Sequence, residues 1–378
     1  MADLPFDTSD ERLAAAAWSR LVEPGDPAAV GLVAHLGGVE ALDWLLLAAD
    51  GGVRTPPPWE AAVARWAPRL ENLDVRRELE VLDRLGGHLL VPGDARWPAA
   101  LDDLEDPPFA LWVRGGSAAP LGGTLAVSVV GSRAATSYGQ RVAAELAVGL
   151  AESGATVVSG GAYGIDAAAH RGTLTVSGTT TAILAGGVDR LYPAGNTALL
   201  EAIVATGAVV SEVPPGCAPS RSRFLARNRL IAALGAGTVV VEAAWRSGAL
   251  STAGHAAKLC RPVGAVPGPV TSMASAGCHR LMREQGAVCV TDAAEVLELV
   301  APVGEHLTSD PPVQPGLLDG LDVTASRVLD ALPVRGSAPV ANLARTAGLP
   351  VDQVRAALGH LELAGRARRT GSTWTRSS

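Results

Sequence analysis

The sequence predicts an α/β fold: a Rossmann-like, doubly wound parallel sheet with a small helical domain before it and a winged-helix domain after it. Three patterns carry that expectation. Apolar runs of β character alternate with helical periods through the middle of the 378 residues, the rhythm of strands buried on both faces and joined by crossover helices. Apolar residues at helical spacing fill residues 11–90. A stretch of prolines and polar residues then sets off a last unit, in which three helical patterns precede a β-like tail.

Residues 1–90 form the helical domain. Leu13, Ala16 and Ala17, then Leu32 and Leu36, mark helix faces, and Gly37-Gly38 interrupts the pattern. Residues 35–47 fit two readings: a helix-hairpin-helix, which holds DNA phosphates on backbone amides at a helix start, and an ordinary helical hairpin. Residues 91–298 form the sheet domain with its lead-in, of which 98–116, rich in Pro and Gly, read as irregular connector. Strands are expected at 125–130, 156–159, 181–185, 208–211, 237–241 and 263–266, and an amphipathic helix at 138–153. Residues 299–320 read as linker. Residues 321–378 carry helices at 324–332, 340–346 and 351–363 and a tail at 367–375, the order of a winged helix.

With 48% hydrophobic and 18% charged residues, the chain has apolar material for a large core and satellites. Lys258 is the only lysine, so arginine abundance reflects a general bias and by itself says little about function. The net charge of −7 argues against a surface coated in positive charge, and any nucleic-acid site must be local. Cys217, Cys260, Cys278 and Cys289 lie too far apart for Cys-x-x-Cys metal or redox spacing and read as reduced thiols. Residues 1–20 lack the pattern of a secretory leader, and no run of about 18 apolar residues occurs, so a cytoplasmic protein without a membrane segment is expected.

In doubly wound sheets, ligands bind at the carboxyl ends of the strands. Gly131-Ser132-Arg133 follows the first expected strand, and Ser159-Gly160-Gly161-Ala162-Tyr163-Gly164-Ile165-Asp166 follows the second. Small residues there let a phosphate approach the backbone, and Arg133 adds charge; tight turns and close helix packing use the same glycines. Further on, Arg221, Arg223, Arg227 and Arg229 surround Phe224, with Asn228 among them and no acid from 213 to 241. Guanidinium groups pair with phosphates and an aromatic face stacks on unpaired bases. The alternative is an arginine-rich turn whose Phe224 fills the core and whose Asn228 caps a helix.

Asp166 and His170 share a helix face, which fits an acid-base pair, and fits equally a helix-start acid with a local partner. Glu242 and the Ser247-Gly248-Ala249-Leu250-Ser251-Thr252 run follow the fifth strand, where a ribose or phosphate contact and a helix cap are both readable. The sequence has no Gly-x-Gly-x-x-Gly, P-loop, Gly-x-Ser-x-Gly or His-Glu-x-x-His pattern and no cysteine-histidine metal set. Binding without a cofactor or metal, and without catalysis, is the expectation.

Taken in order, these segments resemble the DNA-processing protein A (DprA/Smf) family. The resemblance covers residues 75–290: Val129-Val130-Gly131-Ser132-Arg133, then 159–166 with His170, Leu191-Tyr192-Pro193-Ala194-Gly195-Asn196, Ser211-Glu212, Phe224-x-x-Arg227-Asn228-Arg229, Glu242 with Ser247-Gly248-x-Leu250-x-Thr252, and Val266-Pro267-Gly268. Upstream, 93–98 and 106–115 are similar to the lead-in of that family, with Trp97 where tyrosine is common. The helical unit resembles the family's sterile-alpha-motif-like domain and the last unit its winged helix.

The resemblance implies a non-catalytic mediator that binds and protects single-stranded DNA, helps load the RecA recombinase during natural transformation and homologous recombination, and forms a homodimer through the Rossmann-like domain. Gly131, Ser132, Arg133, Ser159, Gly160, Gly161, Phe224, Arg227, Asn228 and Arg229 would hold the strand. Secondary contacts are expected at Arg221 and Arg223 and, for duplex DNA, at Arg366, Arg368 and Arg369 in the tail. Ala194 and Gly195 stand where some members carry a basic residue, which implies a weaker grip there. Two rivals belong to other classes. One is a nucleotide phosphoribohydrolase with a catalytic glutamate such as Glu242, although the Pro-Gly-Gly-x-Gly-Thr-x-x-Glu signature of such enzymes is absent. The other is a duplex-binding regulator that senses a nucleotide in the sheet domain.

Overall fold

The computed structural model describes residues 4–116, 121, 125–302 and 321–377. The chain divides into two compact units, 1–308 and 309–378.

In the first unit, five helices come first: α1 (Glu11–Leu21), α2 (Pro27–Leu36), α3 (Gly38–Ala49), α4 (Pro57–Leu70) and α5 (Val75–Arg84). Asp10 and Asp26 accept N–H bonds from the first turns of α1 and α2, and Pro27 sits where its missing N–H costs nothing. The apolar faces close on Trp18, Leu21, Leu42, Leu45 and Trp66, the two indoles meeting edge to face at 5.7 Å. α2 and α3 bend by 114° at a break on Gly37, whose φ of 89° a side chain would resist. The Gly38 carbonyl there accepts from buried Trp18, and the acid Glu40 stands in the first turn of α3. Among the described residues, no single helix is long and apolar enough to cross a membrane.

The sheet has nine strands: β1 (Gly87–Leu90), β2 (Leu111–Gly115), β3 (Ala126–Val130), β4 (Thr156–Ser159), β5 (Thr180–Leu184), β6 (Ala208–Ser211), β7 (Gly237–Val240), β8 (Val263–Ala265) and β9 (Val288–Cys289). Their order is β1-β2-β6-β5-β4-β3-β7-β8-β9, parallel from β6 through β9 and antiparallel at β1 and β2. The expected parallel strands are all present within a residue or two. The antiparallel pair lies where the sequence predicts a helix end and a connector, and its pairing with β6 comes from tertiary structure. With β1 in the sheet, the boundary expected at residue 90 falls inside one unit, and Trp18, Leu42, Trp112 and Val209 share one core.

The crossover helices are α6 (Ser137–Glu152), α7 (Ile165–Thr175), α8 (Thr197–Thr206), α9 (Arg221–Leu234), α10 (Ala249–Lys258), α11 (Ala276–Glu284) and α12 (Ala293–Val300). Successive strand residues feed opposite cores. Val127, Val129, Val157 and Val239 pack with α6, α7 and α12, while Val130, Val158, Ile183 and Val240 pack with α9 and α10. A continuous apolar run therefore reads as a strand covered on both sides. Ser128 interrupts that run, and its hydroxyl donates to the Ile231 carbonyl of α9 at 2.6 Å. Of the expected linker, 299–300 end α12, and 303–320 lie outside the described residues.

The second unit holds α13 (Val323–Ala331), β10 (Ala338–Pro339), α14 (Val340–Ala347), α15 (Val351–Leu363), β11 (Ala367–Thr370) and β12 (Thr373–Arg376), with strand order β10-β12-β11. Val328, Leu329, Leu343, Val354, Leu358, Leu361 and Trp374 make its core. This is a winged helix, with β11 and β12 as the wing.

Candidate nucleic-acid interface

The parallel strands reverse direction of winding at β3, with β4 on one side and β7 on the other. Loops diverge at such a switch point and leave a crevice at the carboxyl ends. A cleft of about 300 Å³ lies there, lined by Gly131, Arg133, Asp166, Phe224, Arg227, Asn228 and Gly248, among others. Two close approaches shape its floor. A Cβ on Gly131 would collide with Ile165, and one on Gly160 with the Arg227 guanidinium.

Phe224 lies in the first turn of α9, whose start is capped by Ser220. Its ring is half-buried. The exposed Arg133 guanidinium stands 4.5 Å from the ring centroid, that of Arg227 6.0 Å away, and the ring of Tyr192 lies 5.9 Å away, tilted. Tyr192 and Tyr163 are both about half exposed. Asn196 fixes the Tyr192 loop by donating to the Gly161 and Ala162 carbonyls at 3.0 and 3.1 Å. The cleft thus offers aromatic faces, an exposed guanidinium and backbone at glycine, the equipment for phosphates and unpaired bases.

The other residues expected to hold the strand are placed differently. Arg227 is buried on the cleft floor and donates to the Ile183 carbonyl at 2.9 Å. Burial pulls its guanidinium down to about 10, partly offset by Asp166, so it remains charged at neutral pH. Burial pushes the Asp166 carboxyl up, with Arg227 opposing. Asn228 lines the cleft and reaches the Gly248 carbonyl at 3.4 Å. Arg229 is 2% exposed and lies between Glu212 at 2.5 Å and Asp106 at 3.3 Å, away from the cleft lining. The Ser159 hydroxyl is spent on the Val129 carbonyl, and Gly160 and Gly161 are covered. Ser132 ties its loop to the chain after β7, its N–H donating to the Glu242 carbonyl at 2.7 Å. Arg221 is exposed at the start of α9, whereas Arg223 pairs with Glu23 at 2.8 Å and ties α9 to the helices of the amino end.

The candidate acid-base groups are also accounted for. His170 turns to Thr180, 2.7 Å from its Nδ1, and burial pulls the imidazole down to about 3, so it is neutral. Glu242 is 1% exposed and accepts from the Thr136 N–H at 2.9 Å and the Thr136 hydroxyl at 2.5 Å, holding the residue that caps α6. On the wing, Arg368 and Arg369 are exposed and Arg366 is half-buried. Tyr192 comes beside Phe224 on a loop without periodicity; its trace in the sequence is a scarce tyrosine beside Pro193.

Comparison with known proteins bears on this geometry. The sequence pattern of the family described as DNA recombination-mediator protein A matches residues 88–301, more than half of the chain. The chain belongs to the DprA/Smf family. The pattern of the DprA winged helix domain matches residues 311–371. A DNA processing protein DprA of Mycobacterium tuberculosis is 44% identical over 95% of this chain and 94% of its own length, and protein Smf of Escherichia coli is 39% identical over 74% of each. The crystal structure of Streptococcus pneumoniae DprA is similar with a TM-score of 0.64 at 30% identity, over 79% of this chain and 99% of that one. A Helicobacter pylori DprA, described for its single-stranded DNA binding mode, is similar with a TM-score of 0.50 at 30% identity, over 56% of this chain and 94% of its own.

Proposed function

We propose that this DprA/Smf protein binds single-stranded DNA in the switch-point cleft and acts by holding the strand, without turnover. The observation that carries the reading is the half-buried Phe224 ring under the exposed Arg133 guanidinium, with Tyr192 beside it. A base slides onto the aromatic face while its phosphate meets the Arg133 guanidinium, with Gly131 leaving room for the approach. Burial of His170 and the commitment of Glu242 to Thr136 favour binding over the phosphoribohydrolase reading. Protection of the strand, loading of RecA in recombination and natural transformation, and a homodimer through the Rossmann-like domain belong to the same proposal and rest on kinship with recombination mediators.

The test is fluorescence anisotropy with labelled oligo-dT and a matched duplex across a salt series. The wild type is expected to prefer the single strand, with affinity that falls as salt rises. Phe224→Ala and Arg133→Ala should each weaken oligo-dT binding by roughly 5- to 100-fold, the range for loss of a stacked base, with the melting temperature kept. Wild-type protein that ignores oligo-dT sinks the proposal.

A further inference from the structure

We propose that Trp245 is a second stacking station, and that the strand leaving the cleft crosses the start of α10 to lie on its indole. This rests on the strand-binding reading of the cleft and extends it. Trp245 lies in the short connection between β7 and α10, at the same carboxyl edge of the sheet as Gly131. It is 47% exposed, whereas the seven other tryptophans are buried or half-buried. Its surroundings repeat those of Phe224. The Arg280 guanidinium stands 5.1 Å from the indole centroid, as Arg133 stands 4.5 Å from the Phe224 ring. Arg280 also donates to the Trp245 carbonyl at 3.4 Å, which braces the loop, and it stands 3.7 Å from Glu284.

Between the two rings run Arg246, Ser247 and Gly248. Arg246 is an exposed cation, and Ser247 and Gly248 line the cleft and open α10, where Ser247 accepts from the Ala249 N–H through its hydroxyl and from the Leu250 N–H through its carbonyl. A phosphodiester passing from one ring to the other therefore meets an exposed arginine. Exposed Trp and Arg also anchor protein interfaces. Continuity with the cleft and the repeat of the ring-guanidinium pairing decide for the strand.

The test uses the full chain, a series of oligo-dT lengths and the variants Trp245→Ala and Trp245→Phe. Trp245→Ala should bind the shortest oligomers within about twofold of wild type and the long ones about fivefold or more weakly, with Trp245→Phe recovering most of the difference. Tryptophan emission should be quenched by unlabelled oligo-dT in the wild type and not in Trp245→Ala. Equal binding by Trp245→Ala at every length, or a quench that persists in it, overturns the inference and leaves the cleft reading standing. A changed sedimentation coefficient with strand binding intact assigns the patch to a protein contact and overturns it as well. Wild-type protein that binds no oligomer removes both readings, and the wild-type titration alone distinguishes that case.

Discussion

Arg227 and Arg229 are two positions apart on α9 and meet different surroundings. Arg227 closes the floor of the cleft, and Arg229 neutralises Glu212 in the interior. Arg229→Ala orphans a buried carboxylate, which should cost about 3–5 kcal/mol of stability in chemical denaturation. Burial raises the Glu212 carboxyl and Arg229 pulls it back. Without Arg229 the folded-state value rises further above the unfolded one, and the burden grows as pH rises; the deficit should be larger at pH 8 than at pH 5. His170 has the opposite sense. Its folded imidazole titrates at about 3 against a normal value of 6.5, so the unfolded chain binds the extra proton and stability falls as pH drops below 6.5. The slope from this group is at most about 1.4 kcal/mol per pH unit, and a melting series on His170→Gln should show a shallower acid limb. Residue types and spacing bring Arg133, Phe224 and Arg227 forward as candidate strand contacts, and the fold lines one cleft with all three. They were not enough to separate Arg227 from Arg229, because the deciding carboxylate, Glu212, and the distant Asp106 arrive through the fold.

One crossing shows how the elements depend on a missing side chain. α6 and α7 approach closely where Gly172 faces the backbone of Ala144, and a Cβ there would strike that backbone. Gly172→Ala should cost about 1–3 kcal/mol by overpacking, read as a lower denaturant midpoint with unchanged slope. The six parallel strands expected from the sequence were legible because each is apolar on both faces and bounded by turn residues. β2, the sequence Leu-Trp-Val-Arg-Gly, follows two prolines and a phenylalanine, and it is a strand because β6 lies beside it. Antiparallel edge pairing of that kind leaves little local trace. The helices at the amino end were legible as helices, but their shared core with the sheet depends on Trp112 and Val209, far along the chain.

At the scale of the molecule, the two units divide the cations unequally. The wing presents Arg368 and Arg369 to solvent on a chain whose net charge is −7. If the wing holds duplex DNA, Arg368→Ala/Arg369→Ala should lower the salt dependence of duplex binding by up to about two phosphates' worth while leaving oligo-dT binding unchanged. Equal duplex titrations for variant and wild type would assign the wing to another role. α9 joins the remaining parts. It is held by Glu23 at Arg223, by the Ile183 carbonyl at Arg227, and by Glu212 and Asp106 at Arg229. A helix pinned at three heights has its ordering settled before any strand arrives. If Phe224 holds the strand as proposed, a genetic screen for loss of function would return Arg229 as readily as Phe224, for unlike reasons: one lesion lowers the amount of protein in the cell, and the other leaves abundance intact and empties its grip.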